Sequence, residues 1–339
     1  MKGYVISDEE LRKAKGYNIL DYMYSRNPII YSSINDVTSS MFNIFREDHF
    51  DLVCTQPKVM RLFAELVSRH PIEGLYGNQF HGLDDFLSNV FKSLITFGKV
   101  FTRIDYSQAQ IQGQTAWKIQ RIRWLPAETM RVVHKKGEIK GFVQQYSKIC
   151  QDERLCKKTE FTPDEIFFVE WMFDGRRLKG VSPLLSLIPH AKRHLKFLKV
   201  MERKTYAMAN PQDHSFKIER AKYASWEKEK RLNEISELRI RSTIGAWSDA
   251  PMTEYYGTFR FAKSRQRIAA IREYLLTQFN QQVVNTLSRK NGLNESVEIK
   301  LKGYLTSSEI GQLIQRFQNG QISQNEMITT LQKDMAGRN

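Results

Sequence analysis

The spacing of apolar positions changes period several times along the chain. In NPIIYSSINDVTSSMF, Ile30, Ile34, Val37 and Met41 recur every three or four residues, which predicts a helix. Pro57 opens a second helical pattern, PKVMRLFAELVSRHP, with Val59, Leu62, Phe63 and Leu66 on one face and a stop before Pro71. A third is LDDFLSNVFKSLITFG, whose Asp84 and Asp85 fall in the first turn, where the helix dipole favours carboxylates. Between Gly98 and Trp171 the runs KVFTRIDY, WKIQRIRWL, MRVVH, IKGFVQQY and EIFFVEW are short and rich in β-branched and aromatic residues. They predict one sheet of about five strands, antiparallel because the connections are too short for crossovers.

After Val181 the helical period returns. Leu184, Ile188, Ala191, Leu195, Leu198, Met201, Thr205 and Met208 step by three and four, which as one helix spans about 37 Å. A break at Asn210-Pro211 precedes YASWEKEKRLNEISELRIR, with Glu227–Arg231, Lys230–Glu234 and Glu237–Arg241 at (i, i+4) spacing. TIGAW and TEYYGTFRF read as two strands, followed by a long helix over about 263–289. In the tail, Thr306 with Glu309 and Ser323 with Glu326 form two capping boxes, Asn319-Gly320 closes the first helix, and Ile322 and Met327 staple the second. The class these elements predict is α+β.

Composition adds one strong constraint. The chain of 339 residues has 52 Lys and Arg against 37 Asp and Glu, a formal charge of +15, which points to a polyanionic partner. Three cysteines indicate a reducing compartment and no disulfide framework. No run approaches a membrane span and the N-terminus lacks an apolar signal core, so a soluble protein made in a cytoplasm is expected, with no membrane partner.

Four motifs approach known chemistry and stop short. Gly175, Gly180 and Ser182 match G-x-x-x-x-G-K-[ST], but Val181 stands where a phosphate-holding lysine is required. Ser182 and Pro183 instead suit an N-cap and first helical residue, with Gly180 turning the chain into Leu184. Asp164 and Glu170 resemble a metal-dependent nuclease pair, yet Met172 replaces the lysine such sites use. Cys150 and Cys156 lack zinc-knuckle spacing, while His190 and His194, at (i, i+4) among Lys192 and Arg193, read as part of a solvated basic face. No catalytic, metal or cofactor site is expected. The stronger signal is the basic stripe Lys192, Lys196, Lys199 and Arg203 on one side of the long helix.

The order of FGKVFTRIDY, IRWLPAETMRVVHKKGEIKGFVQQY, FTPDEIFFVEW and KGVSPLLSLIPHAKRHL, followed by FQNGQISQNEM, resembles the portal proteins of tailed bacteriophages over about residues 83–331. The resemblance implies a portal-like fold with an antiparallel wing sheet and long stem and tunnel helices. On this chain it implies an N-terminal arm (1–56), a wing (57–181), stem helices (182–241) with a short clip at about 210–222, return strands with a tunnel-bordering helix (242–304), and a helical crown (305–339). It further implies a homo-oligomeric ring, usually of twelve, at one capsid vertex of a virion assembled in the bacterial cytoplasm. Double-stranded DNA would pass through it, and the partners would be the terminase large subunit, head–tail adaptor or neck proteins, and the major capsid protein or scaffold. Gly180, Ser182, Pro183 and Leu184 take the turn that launches the first stem helix. Gln278, Gln281, Gln282 and Asn285, polar and uncharged, suit a weakly adhesive tunnel face. The alternative left open by the residues is a basic nucleic-acid-binding protein or a metal-dependent nuclease, monomeric or dimeric.

Overall fold

A computed structural model describes residues 17–41, 50–53, 72–73, 79–80, 83–111, 114–145, 158–171, 180–209, 220–244, 255–293 and 297–336. The expected helix at 57–70, the cysteines Cys150 and Cys156, parts of the N-terminal arm, most of the clip, and the basic residues Arg176, Arg177 and Lys179 lie outside them. The helices are α1 (Tyr17–Arg26), α2 (Pro28–Met41), α3 (Leu83–Phe97), α4 (Ile188–Ala209), α5 (Arg220–Ile244), α6 (Tyr255–Phe279), α7 (Asn285–Lys290), α8 (Ser307–Gln318) and α9 (Gln324–Ala336). The strands are β1 (Phe50–Val53), β2 (Ile72–Glu73), β3 (Gln79–Phe80), β4 (Lys99–Ile111), β5 (Gln114–Leu125), β6 (Met130–Lys135), β7 (Glu138–Gln144), β8 (Thr159–Phe161), β9 (Ile166–Glu170) and β10 (Glu298–Leu301). Mixed helices and small sheets confirm the α+β expectation. The chain divides into two units, 1–37 with 182–250 and 38–181 with 251–339.

In the larger unit, the expected single sheet is two. β4 and β5 form a long hairpin inside a five-stranded sheet of order β3-β2-β5-β4-β9, while β6-β7-β8 form a separate three-stranded sheet. Pro126, which has no backbone N–H for a ladder, starts the 3₁₀ turn Ala127–Thr129 that takes the chain out of β5 into the second sheet. Pairing is antiparallel except for β2 beside β5 at Glu73 and Arg121. Phe142 of β7 lies 5.4 Å and 6.0 Å from the rings of Phe168 and Phe101, so aromatic packing joins the two sheets. β1 pairs antiparallel with β10.

α3 forms where the spacing predicts it, and its Phe86 ring sits within 5.7–5.9 Å of Trp124, Phe167 and Phe279, tying sheet, α3 and α6 into one core. α2 also matches: Ile30, Ile34, Val37 and Met41 are at most 2% exposed, and the Asn27 side chain caps the helix by accepting from the Ile29 and Ile30 backbone N–H groups.

The expected return strand TEYYGTFRF is helical from Tyr255, where α6 begins. Of TIGAW, Thr243 and Ile244 close α5 and the rest lies outside the described residues. Thr258, Phe261, Ala262, Arg265, Ile268, Ala269, Arg272, Leu275, Leu276 and Phe279 form the buried stripe of α6. The long helix expected over about 263–289 thus forms and begins earlier, and two arginines interrupt its buried stripe. Arg265 and Arg272 are 3% and 1% exposed; they donate to the Ser40 and Met41 carbonyls at the C-terminus of α2, where a cation complements the helix dipole. Arg272 also donates to the Leu305 carbonyl and lies 4.1 Å over the Tyr304 ring.

From α6 the helix runs on through a π-helical turn, Asn280–Val284, into α7. Both capping boxes of the tail form: Glu309 accepts from the Thr306 backbone N–H at 2.7 Å and Glu326 from that of Ser323 at 2.6 Å. Burying Met327 completely fixes the second of these helices against the body.

Candidate functional site

The smaller unit holds the helical hairpin. Gly180 adopts φ +71°, a conformation that side chains rarely take, and a Cβ there would run into the Lys99 side chain. Ser182 caps the following turn by accepting from the Leu184 N–H at 3.1 Å, with Pro183 first in the turn. The expected continuous helix from Leu184 begins instead as a 3₁₀ segment, Pro183–Leu187, and turns α-helical at Ile188. Pro189 is the cause: it cannot donate to the carbonyl four residues back, and its ring crowds that carbonyl. α5 returns antiparallel, and Phe197 stacks on Trp226 with ring centres 5.3 Å apart.

The seam between α4 and α5 is polar in its middle. His194, only 3% exposed, has Nδ1 2.9 Å from Asn233 Oδ1, and Asn233 Nδ2 donates to Glu237 Oε1 at 2.6 Å. Because the Asn233 amide donates to a carboxylate, its oxygen is left to accept, which places the His194 proton on Nδ1. His190 Nδ1 meets Ser236 Oγ at 3.5 Å. Burial, then Arg193 and Arg239, hold the His190 pKa below its usual value. His194 is thus a seam residue and not part of a solvated face, which corrects the sequence reading. Its (i, i+4) partner faces the same seam.

Apolar side chains meanwhile remain outside. Leu198, Val200 and Met201 of α4 are 36%, 39% and 37% exposed, and Ile235 and Leu238 of α5 are 51% and 48% exposed. Ile235 and Leu238 lie on the side of α5 opposite Asn233, Ser236 and Ile240, so no rotation of the helix within the hairpin would bury both sets. Of the basic stripe, Lys192 and Lys196 are exposed, Lys199 is half-buried, and Arg203 is helical with its side chain outside the described residues.

The glutamine-rich turn of the larger unit is used differently from expectation. Gln282 Oε1 accepts from the Phe168 backbone N–H and its Nε2 donates to the Phe168 carbonyl, both at 2.8 Å. Gln278 Oε1 accepts from the same Nε2 at 2.9 Å. Asn280 makes the same two-bond clamp on Ile299 (3.0 and 2.8 Å), and Asn291 on Trp117 (2.8 and 3.0 Å). Three amides from one helical run therefore pair with the backbone of β9, β10 and β5, each completing a strand edge as a further strand would. Gln278 and Gln282 are structural, whereas Gln281 and Asn285 are exposed. Asn280 lies within the polar run that the sequence marked for a weakly adhesive face, and Asn291 was not singled out; their partners lie 19 and 174 residues away.

The carboxylates of the nuclease-like pair are engaged by cations: Asp164 Oδ1 with Arg289 at 2.8 Å and Glu170 Oε1 with Lys99 at 3.2 Å. Among the described residues no group of three or more His, Cys, Asp or Glu could hold a metal ion, and no helix is long and apolar enough to cross a membrane.

Comparison with solved structures aligns nearly the whole chain with one from the virion of native gene transfer agent (GTA) particle, at TM-score 0.50 and 12% identity, covering 94% of this chain and 93% of that one. Its fold is similar to that of a virion chain. A chain from the neck of native GTA particle computed with C12 symmetry aligns at TM-score 0.49 and 13% identity over 92% of each chain. One from the neck of empty GTA particle computed with C6 symmetry gives the same values. At such identities the shared property is the fold. No family model and no curated protein matches the chain.

Proposed function

We propose that this chain is a portal-type protein, a ring of about twelve copies at one capsid vertex through which double-stranded DNA enters and leaves the particle. The observation that carries the reading is the hairpin of α4 and α5, with His194, Asn233 and Ser236 buried in its seam and Leu198, Val200, Met201, Ile235 and Leu238 on its surface. A hairpin that encloses polar groups and leaves apolar ones outside gains by packing beside its own copies, and a head-to-tail contact that closes by rotation supplies such neighbours on both sides. The likeness to a virion chain supports this reading, as does the charge of +15 for a protein that meets DNA. In it the protein is a non-enzymatic conduit. Terminase, neck or adaptor proteins and the capsid or scaffold are its partners, and the motor supplies the catalysis.

Lys192, Lys196, Lys199 and Arg203 then face an acidic neighbour and not the lumen, because twelve copies of each cation would hold phosphates and retard the DNA. Gln281 and Asn285, exposed and uncharged, suit the lumen. The test is the mass of the purified protein. Twelve copies of a 39.8 kDa chain give a particle of about 0.5 MDa with an axial hole in negative stain. Ile235→Glu with Leu238→Glu should leave a folded monomer. A wild-type protein that stays monomeric at micromolar concentration, or a double variant that still closes, refutes the reading.

A further inference from the structure

β4 leaves part of one edge open. β9 covers that edge only from Lys99 to Arg103, and beyond Arg103 the described residues place no strand beside it. The amide clamps fix which groups face outward there. Asn291 holds both the N–H and the C=O of Trp117, so Trp117 turns away from β4, and its cross-strand partner Gln108 turns away from β5. By alternation Tyr106, Gln108 and Gln110 point their N–H and C=O groups outward, whereas Ser107 and Ala109 bond to β5. Gln282 gives the same register from the other end: it holds Phe168, so the residue opposite, Phe101, bonds to β5 as well. Open edges are commonly guarded by lysine, proline or a bulge. The run from Tyr106 to Gln110 carries neither charge nor proline, and the extra residue of the bulge, Gln120, is on β5. Among the described residues no side-chain amide closes this edge as Gln282 and Asn291 close those of β9 and β5.

We infer that this edge takes an extended acidic segment of a partner protein as an added strand. The ladder supplies the main-chain bonds, and the flanks supply the charge preference. On one face, Lys290 Nζ lies 5.1 Å from the rings of both Tyr106 and Trp117; on the other, Lys118 stands cross-strand from Ser107. Among the described residues neither lysine meets a carboxylate. The neighbouring carboxylates are engaged, Asp105 by Arg103 and Arg123, and Asp164 by Arg289. Successive side chains of an extended segment project to opposite faces, so two consecutive carboxylates would meet Lys290 and Lys118 in turn. A lysine on β5 has only β4, about 4.8 Å wide, to cross. Pairing this edge with the same edge of a second copy would set the lysines of both copies against one another, which is unfavourable. Nucleic acid cannot supply the alternating donors and acceptors of a strand.

The probe is the labelled peptide Thr-Val-Thr-Glu-Asp-Thr-Val-Thr, added to the full chain and followed by anisotropy and by residue-resolved hydrogen exchange. Bound peptide should slow exchange at the amides of Tyr106, Gln108 and Gln110 and leave Ser107 and Ala109, already bonded to β5, unchanged. Gln108→Pro removes an outward N–H, a place where a strand tolerates proline, and should abolish binding. Lys118→Gln with Lys290→Gln leaves the backbone intact and should weaken binding about tenfold, as two exposed ion pairs are lost; it decides the matter if the proline variant does not fold. The same peptide with Lys-Lys in place of Glu-Asp should bind more weakly than the original. No binding by wild type at about 1 mM peptide, protection without the alternation, equal binding of the lysine peptide, or a folded Gln108→Pro variant that binds as wild type overturns the inference. So does protection of the three outward amides in the protein alone that grows with its concentration, which would assign the edge to a second copy.

Discussion

Gln282→Leu isolates the amide clamp on the edge of the main sheet. The substitution preserves approximate size and removes both partners of the Phe168 backbone, where the N–H and C=O bonds are each 2.8 Å long. Phe168 is 7% exposed and its neighbour Val169 1%, so little water reaches the groups left behind. An unsatisfied buried polar group costs about 1–3 kcal/mol, and partial rehydration at a sheet edge favours the lower part of that range, giving about 2–4 kcal/mol for the pair. For a unit of this size that lowers Tm by about 5–15 °C. Hydrogen exchange followed by mass spectrometry should show loss of protection in the peptide carrying Ile166–Glu170 and little change in α8. Gln282→Glu sharpens the test. Its carboxylate would face the Phe168 carbonyl and Gln278 Oε1, two acceptors, so its folded pKa is raised. The stability it lends is present below the ordinary Glu value of about 4.3 and is lost as pH rises through the folded value. Relative to Gln282→Leu, the Glu variant should therefore recover on acidification. A Leu variant that melts within about 1 °C of wild type with unchanged exchange, or a Glu variant indifferent to pH, refutes the clamp.

Two further predictions concern the hairpin and its entry. Gly180→Ala places a side chain at φ +71° against Lys99, disturbing the Lys99–Glu170 pair; the backbone strain alone is about 1–2 kcal/mol, read as a lower Tm. Because burial depresses the His190 pKa, the unfolded chain takes up protons more readily than the folded one. The stability of the α4–α5 hairpin should be full above about pH 6.5 and fall as pH drops through that value. His190→Gln should flatten the Tm difference between pH 7.5 and 5.5; an unchanged difference would sink that assignment.

The elements that the sequence determined are those whose stabilising partners lie within a few residues. The boxes Thr306–Glu309 and Ser323–Glu326, the cap Ser182, and the apolar faces of α2 and α3 all depend on groups two to four positions apart, and all form. The helix expected over about 263–289 also forms, with Arg265 and Arg272 tolerated inside because α2 ends there and offers its last carbonyls; only its first turns escaped, because the aromatic-rich YYGTFRF also suits a strand.

Tertiary structure alone decided which sheet each strand joined and what the amides of the π turn and of the residue closing α7 do. Gln282 reaches a residue 114 positions away and Asn291 one 174 positions away, so local composition, which marked the run only as polar and uncharged, carried no sign of a clamp. His194 shows the same division. Its spacing from Lys192 and Lys196 places it on α4, but whether that side meets water or Asn233 depends on how the second helix of the hairpin returns. Local order is set by short-range backbone needs, whereas the fate of a polar side chain is set by what long-range packing brings to it.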